Sequence, residues 1–125
     1  FVGSIDHNTL ALKVGAADIM ALVSASEGLA NAWVEALAAG TPVIACDVGG
    51  VKELITSDKA GRIVAPDPTA IAQAARDILA DYPLPYDVRA HVDSFSWDEN
   101  AAQLDRFYRG ILGLPQFPQS GARRV

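Results

Sequence analysis

The sequence predicts an α/β fold in which a parallel sheet is flanked by helices. Short, mainly apolar runs alternate along the chain with longer stretches in which apolar residues recur at helical spacing. Each run also ends in a polar or glycine-containing turn, which is typical of a strand that leads into a helix. Strands and helices that alternate in this way form a parallel sheet with right-handed crossovers.

Length and composition are those of one domain. The chain has 125 residues, half of them apolar, and a formal net charge of −5 at pH 7. The negative charge argues against a nucleic-acid surface and makes an anionic membrane a poor partner. No apolar stretch reaches the roughly 18 residues that a bilayer span needs. The single cysteine, Cys46, rules out an internal disulfide and fits a reducing cytoplasm.

The first residues predict the end of a strand, a loop and a short helix. Phe1 to Gly3 is typical of a strand end, and Asn8 or Thr9 is expected to cap a helix that closes at Gly15. Because residue 1 is not methionine and begins in mid-element, we expect the chain to be part of something longer. A preceding βαβ half would then be missing, which leaves an edge strand open to pairing.

The next stretch has the most informative sequence. Apolar residues 19–23 predict a buried parallel strand that leads into the turn Ser24 to Gly28. Helical spacing begins at about Asn31, and Gly40 is placed to end the helix. The first N–H groups of a helix have no internal partner and lie at the positive end of its macrodipole. This turn therefore predicts an anion site.

Two carboxylates flank the predicted anion site. Glu27 lies in the turn, and Glu35 lies in the helix, where side chains lean back toward the N-terminus. Ionised carboxylates only accept hydrogen bonds, so their expected partners are hydroxyl groups. A ligand with phosphates for the helix and hydroxyls on both sides of them is a sugar nucleotide. On spacing alone the alternative stays open that both are solvated charges favoured by the helix dipole.

The middle of the chain repeats the strand-and-loop pattern. Residues 43–46 predict a second buried strand, residues 51–55 a helix of at most two turns, and residues 62–65 a third strand. Open parallel sheets bind ligands beyond the carboxyl ends of their strands. We therefore expect the loops at 27–31 and 47–50 to lie together at one edge.

The last part of the chain is predicted to be helical. Asp67-Pro68 is a helix-entry signal for an amphipathic helix, residues 86–92 predict a short helix, and residues 99–112 a final one. Residues 114–125 predict a flexible tail. Trp33 and Trp97 are expected to be packing anchors.

Four motifs together resemble a known enzyme family. They are E-G-L-A-N-A-W-V-E-A-L-A-A-G-T-P-V-I-A from Glu27, D-V-G-G-V-K-E-L-I from Asp47, A-G-R-I-V-A-P from Ala60 and F-S-W from Phe95. Two glutamates at this interval would be a weak signal, but in this combination the signal is strong. Over about residues 1–112 the chain is similar to the C-terminal donor-binding domain of family 4 retaining glycosyltransferases of the GT-B fold.

The resemblance implies a fold and a reaction. Residues 1–113 would form a partial nucleotide-sugar-binding domain, with a Rossmann-like parallel sheet flanked by helices and truncated at its N-terminal half. The reaction would transfer a hexose from a nucleotide-diphosphate sugar, such as a UDP- or GDP-sugar, to an acceptor. It would retain the anomeric configuration and need neither a metal ion nor another cofactor.

The resemblance also implies the site residues. Glu27 would be the catalytic candidate and contact hydroxyls of the transferred sugar, and Glu35 would contact the ribose diol of the nucleotide. The backbone groups implied to meet the diphosphate and the sugar are those of Gly28, Leu29, Ala30 and Asn31. Family members often have an aromatic residue where Leu29 stands here.

The family's other parts do not precede Phe1. They are an arginine and a lysine that clamp the diphosphate, and an N-terminal domain that binds the acceptor. We therefore expect the chain to supply half a donor site, to be inactive alone, and to contact a membrane only through the absent domain.

Two other functions remain open. The chain could be a non-catalytic α/β module for assembly or self-association through its open edge strand and final helix. A dinucleotide-binding domain ranks last, because no G-x-G-x-x-G turn follows any predicted strand.

Overall fold

A computed structural model describes residues 1–115 of the chain. These residues divide into two compact units, Phe1–Asp93 and a second that begins at Ser94. The helices and strands of the described part are, in chain order, α1 His7–Gly15, β1 Met20–Leu22, α2 Asn31–Ala39, β2 Val43–Cys46, α3 Val51–Leu54, β3 Gly61–Val64, α4 Pro68–Ala80, α5 Pro85–Arg89, a 3₁₀ turn Ala90–Val92 and α6 Trp97–Leu112.

The first unit is built on a parallel sheet. Its three strands within residues 1–115 lie in the order β1-β2-β3, so that β2 is central. Met20 lies opposite Val43, and Val43 lies opposite Gly61. The predicted α/β fold with a parallel sheet flanked by helices is therefore confirmed.

The central strand is buried on both faces because its residues alternate between two clusters. Val43 and Ala45 pack with Trp33 and other residues of α2 and α3. Ile44 points the other way and packs against Ala74 and Ile78 of α4. Full burial of such an aliphatic side chain stabilises the fold by about 1.5–3 kcal/mol, so β2 is the best-anchored strand.

The beginning of the chain differs from the prediction. Phe1 to Gly3 is exposed and forms no strand. Within residues 1–115 there is no neighbouring strand for it to pair with. The cap of α1 is Asp6, not Asn8 or Thr9. Its carboxylate accepts from the Thr9 amide at 3.0 Å and from the Thr9 hydroxyl at 2.6 Å. Thr9 is thus a donor inside the first turn.

Two other helix ends follow the prediction. Helix α2 ends at Gly40, whose φ of 84° is the left-handed conformation of a glycine C-cap and whose N–H reaches back to Ala36 and Leu37. Helix α4 begins at Pro68, and Asp67 caps it by accepting from the Ala70 amide at 2.8 Å.

The described part of the second unit consists mainly of α6. Ser96 caps this helix by accepting from the Glu99 amide at 3.1 Å. Trp97 is 89% exposed, so its predicted role as a packing anchor is wrong, whereas Trp33 is fully buried as expected. The predicted tail lies almost wholly outside the described residues, and the predicted domain end at residue 113 stays a prediction.

Candidate functional site

The two loops that follow β1 and β2 meet at the carboxyl edge of the sheet, as predicted. The N–H of Gly50 donates to the carbonyl oxygen of Gly28 at 2.9 Å. The first loop carries the predicted site residues Glu27 to Ala30, and the second is the turn Val48–Gly50, called the glycine turn below. This hydrogen bond joins two segments that are distant in sequence.

Glu27 and Glu35 stand on either side of the start of α2 in the chain. Glu27 is half-buried in the loop, and Glu35 is exposed. The buried face of α2 carries Trp33, Ala36 and Leu37, so Glu35 belongs to the opposite, solvent face. Neither carboxylate has a hydrogen-bond or ion-pair partner within residues 1–115. Both are therefore able to accept bonds from the hydroxyls of a ligand.

The start of α2 has no side chain that satisfies its amides. Its N-cap is Ala30, which makes no side-chain capping bond. The Ala30 carbonyl oxygen accepts from the Trp33 amide at 3.0 Å. The N–H groups of Leu29, Ala30 and Asn31 have no acceptor among residues 1–115. A serine or aspartate at the cap would accept from the second or third amide of the helix, which alanine cannot do. The start of α2 is therefore open to an anion.

The structure therefore brings some predicted residues together and leaves one relation open. The Gly28 backbone lies against the glycine turn through the bond from Gly50. The Leu29 side chain does so too, since a Cβ added at Gly50 would lie 2.9 Å from Leu29 Cδ1. Asn31 and Glu35 are four residues apart on one helix and are both exposed. Glu27 and Glu35 share no hydrogen-bond partner within residues 1–115, so their convergence on one ligand remains a prediction.

An open cleft of about 470 Å³ lies at the same edge of the sheet. Its lining residues lie at or just beyond the carboxyl ends of β1, β2 and β3: Ser24, Ala25, Cys46, Asp47, Val48, Ile63, Val64, Ala65 and Pro66. None of the predicted site residues lines it. The cleft was not predicted from the sequence, although its lining residues stand at or just beyond the ends of the predicted buried strands.

Charge near the cleft is largely neutralised. Lys52 Nζ lies 2.7 Å from Asp47 Oδ2, and both side chains are more than half exposed. Such an exposed pair contributes about 0–1 kcal/mol, so it does little to hold the glycine turn. Within residues 1–115 no group of three or more His, Cys, Asp or Glu side chains is arranged to hold a metal ion.

The helices offer no membrane span. None that the structure describes up to residue 115 is both long enough and apolar enough to cross a bilayer.

Comparisons with known proteins give one family. The family model described as "Glycosyl transferases group 1" matches residues 1–81. The D-inositol 3-phosphate glycosyltransferase of Corynebacterium urealyticum is 35% identical over 111 residues, which cover 85% of this chain and 26% of that protein. The protein of the same name from Jonesia denitrificans is 37% identical over 114 residues, which cover 86% of this chain and 27% of that protein.

A solved structure is similar in fold and in sequence. Sucrose-phosphate synthase from Thermosynechococcus elongatus superposes with a TM-score of 0.78 at 37% identity. The match covers 90% of this chain and 30% of that one. The chain spans about a quarter of the length of the curated relatives it matches.

Proposed function

The chain belongs to the group 1 glycosyl transferases, and from this premise we propose that it forms part of the donor site of a retaining glycosyltransferase. The enzyme transfers a hexose from a nucleotide-diphosphate sugar, such as a UDP- or GDP-sugar, to an acceptor. The chain spans about a quarter of the length of its relatives, so the transfer is proposed for the complete protein and not for this chain alone.

One observation carries the proposal. Within residues 1–115, α2 begins with N–H groups that have no acceptor, and the carboxylates of Glu27 and Glu35 on either side have no partner. A nucleotide sugar has the complementary pattern, with a diphosphate between two sets of hydroxyls. The backbone groups assigned to the diphosphate and sugar are those of Gly28, Leu29, Ala30 and Asn31.

Each part of the site has a distinct chemical task. The N–H groups and the positive end of the α2 dipole stabilise the charge that develops on the departing diphosphate. Glu35 accepts hydrogen bonds from the ribose diol. Glu27 accepts them from the transferred sugar, which makes it the catalytic candidate because it touches the reacting group. No metal ion enters this scheme, in line with the family resemblance.

The proposal includes partners and a location. As the family resemblance implies, we assign the acceptor and the remaining diphosphate contacts to a domain N-terminal to this chain. The relatives are about four times as long as the matched part, which leaves room for such a domain. Any contact with a membrane is assigned to that domain. We assign the reaction to the cytoplasm, since Cys46 is buried and free.

The test is the affinity of the complete protein for UDP-glucose and GDP-mannose, measured by calorimetry. Glu35→Gln keeps the size of the side chain but weakens it as an acceptor. It should lower the affinity for the better donor by about 1–3 kcal/mol, or roughly five- to 150-fold.

A matched control removes the same charge elsewhere. Asp77→Asn lies on α4, which packs on the opposite face of the sheet, and its side chain bonds only to Gln73 within residues 1–115. Its affinity should stay within about twofold of the wild type, because surface substitutions away from a site have small effects. Equal affinities for Glu35→Gln and the wild type would contradict the proposal.

A second candidate function rests on the sheet edges. In residues 1–115, β1 and β3 each pair only with β2, so each has one unpaired edge. A non-catalytic module that assembles through such an edge would be a stable oligomer without donor affinity. A monomer by sedimentation that binds a nucleotide sugar excludes assembly as its main role.

A further inference from the structure

We propose that the glycine turn, Val48–Gly50, is a positioning element that fixes the peptide group between Gly28 and Leu29 so that its N–H faces the donor. The inference rests on the proposed function and deepens it. It assigns to Gly49 and Gly50 a role that acts through Gly28, without contact with the ligand.

The first step is the orientation of one peptide group. The Gly28 carbonyl oxygen accepts from the Gly50 N–H at 2.9 Å, a normal length for such a bond. A trans peptide is planar, and its C=O and N–H point in opposite directions. Since the oxygen faces Gly50, the Leu29 N–H points away from the glycine turn. This N–H has no acceptor among residues 1–115.

The second step is the closeness of the two backbones. Gly49 has a φ of 53°, and a Cβ added to it would lie 1.9 Å from the Gly28 oxygen and 2.5 Å from the Glu27 oxygen. A side chain cannot occupy that space, so backbone packs directly on backbone. Any residue other than glycine at this position must displace residues 27–28 or the glycine turn itself.

The third step is that hydrogen bonds to the end of β2 and to α3 fix the position of the glycine turn. The Val48 amide donates to the Cys46 oxygen at the end of β2, and the Gly50 oxygen accepts from the Glu53 amide in α3, both at 2.9 Å. Val51 is fully buried in the same cluster that Val48 packs against. The glycine turn is therefore fixed in place. It determines the position of residues 27–28, which pack against it.

The consequence is specific to the diphosphate and the sugar. Displacement of residues 27–28 moves the Leu29 N–H and the Glu27 carboxylate together, but it leaves Glu35 on its helix. A variant at Gly49 should therefore lose affinity for the nucleotide sugar and keep the part of the affinity that comes from the nucleoside.

The test compares Gly49→Ala with Gly61→Ala in the complete protein. Gly61 is a close match, since it has a φ of 144° and an added Cβ would lie 1.8 Å from the Val43 oxygen. It begins β3, at the opposite end of the strands from the site. Both variants should lower the melting temperature. Only Gly49→Ala should lower the affinity for UDP-glucose or GDP-mannose, by about tenfold or more, among molecules that circular dichroism shows to be folded.

A measurement on the wild type covers the case in which Gly49→Ala does not fold. Amide hydrogen exchange should show Gly50 protected in the free protein and Leu29 unprotected. Saturation with the donor should slow exchange at Leu29 by about tenfold or more. A Gly50 amide that exchanges freely without the donor, or a Leu29 amide that the donor does not protect, would overturn the inference.

The outcomes separate the two proposals. If the wild type binds a donor, and Gly49→Ala folds and binds it equally well, the positioning role is wrong and the proposed function stands. If the wild type binds neither donor, both are wrong. Loss of binding in Gly49→Ala together with retained binding in Gly61→Ala supports both.

Discussion

The exposure of Glu27 and Glu35 decides what each carboxylate can do. Glu27 is half-buried beside the Gly28 peptide, whereas Glu35 is open to solvent on α2. A half-buried acceptor without a partner costs more to leave unpaired than an exposed one, so Glu27 gains more from a hydroxyl. This difference agrees with a role for Glu27 next to the transferred sugar.

The two tryptophans provide a prediction at this scale. Trp33 is fully buried in the main cluster of the first unit, and Trp97 is 89% exposed. Trp33→Ala should lower the free energy of unfolding by about 3–5 kcal/mol, because it leaves a large cavity. Trp97→Ala should change it by about 0.5 kcal/mol or less. Urea titration followed by circular dichroism measures both.

Both variants replace tryptophan by alanine, so the difference in intrinsic helix propensity between the two residue types is the same in each. Similar losses in the two variants would show that Trp97 is covered in solution and would contradict its exposure in the structure.

Helix α1 provides a pH prediction at the scale of elements. The pKa of Asp6 is lowered, first by the bond from the Thr9 hydroxyl and then by the bond from the Thr9 amide. A group with a depressed pKa in the folded state adds stability above its unfolded pKa and loses it as the pH falls through the folded value. Asp6 should therefore stabilise α1 at neutral pH and not in strong acid.

Melting curves of three proteins test this. At about pH 7, Asp6→Ala should have a lower melting temperature than the wild type. This difference in melting temperature should close as the pH falls below the ordinary pKa range of aspartate. Asp6→Asn should show no such narrowing against Asp6→Ala, since asparagine caps helices without titrating. A gap between the wild type and Asp6→Ala that is constant with pH would refute the assigned role.

Element identity was predictable from local signals, and the errors have physical causes. Helix α4 followed from Asp67 and Pro68, and β2 from its uncharged β-branched run. The prediction of a strand end at residues 1–3 was wrong, because a strand needs a neighbouring strand to pair with. The sequence pattern of one segment does not show whether such a neighbour is present. The cap of α1 was misplaced by a few residues because Asn8, Thr9 and Asp6 are all good caps.

For the molecule as a whole, the sequence was sufficient for the fold and the family. The motifs from Glu27, Asp47 and Ala60 resembled family 4 glycosyltransferases, and the family match over residues 1–81 confirms that recognition. The parallel sheet with helices on its faces is also confirmed.

The site was less predictable than the fold. That the loops after β1 and β2 meet followed from the rule for open parallel sheets, and the bond between Gly50 and Gly28 confirms it. The same rule puts the strand ends beside Cys46 and Val64 at this edge, but the cleft between them depends on side-chain packing, which the sequence does not show.

The most direct test of the donor site is a ratio of two affinities, that for a nucleotide sugar and that for its free nucleoside diphosphate. Calorimetry on the complete protein would compare UDP-glucose with UDP, and GDP-mannose with GDP. Glu27→Gln should weaken binding of the sugar-linked form by about fivefold or more and leave the free diphosphate within about twofold. Equal affinities in the variant and the wild type, or equal losses for both ligands, would contradict the assignment of Glu27 to the transferred sugar.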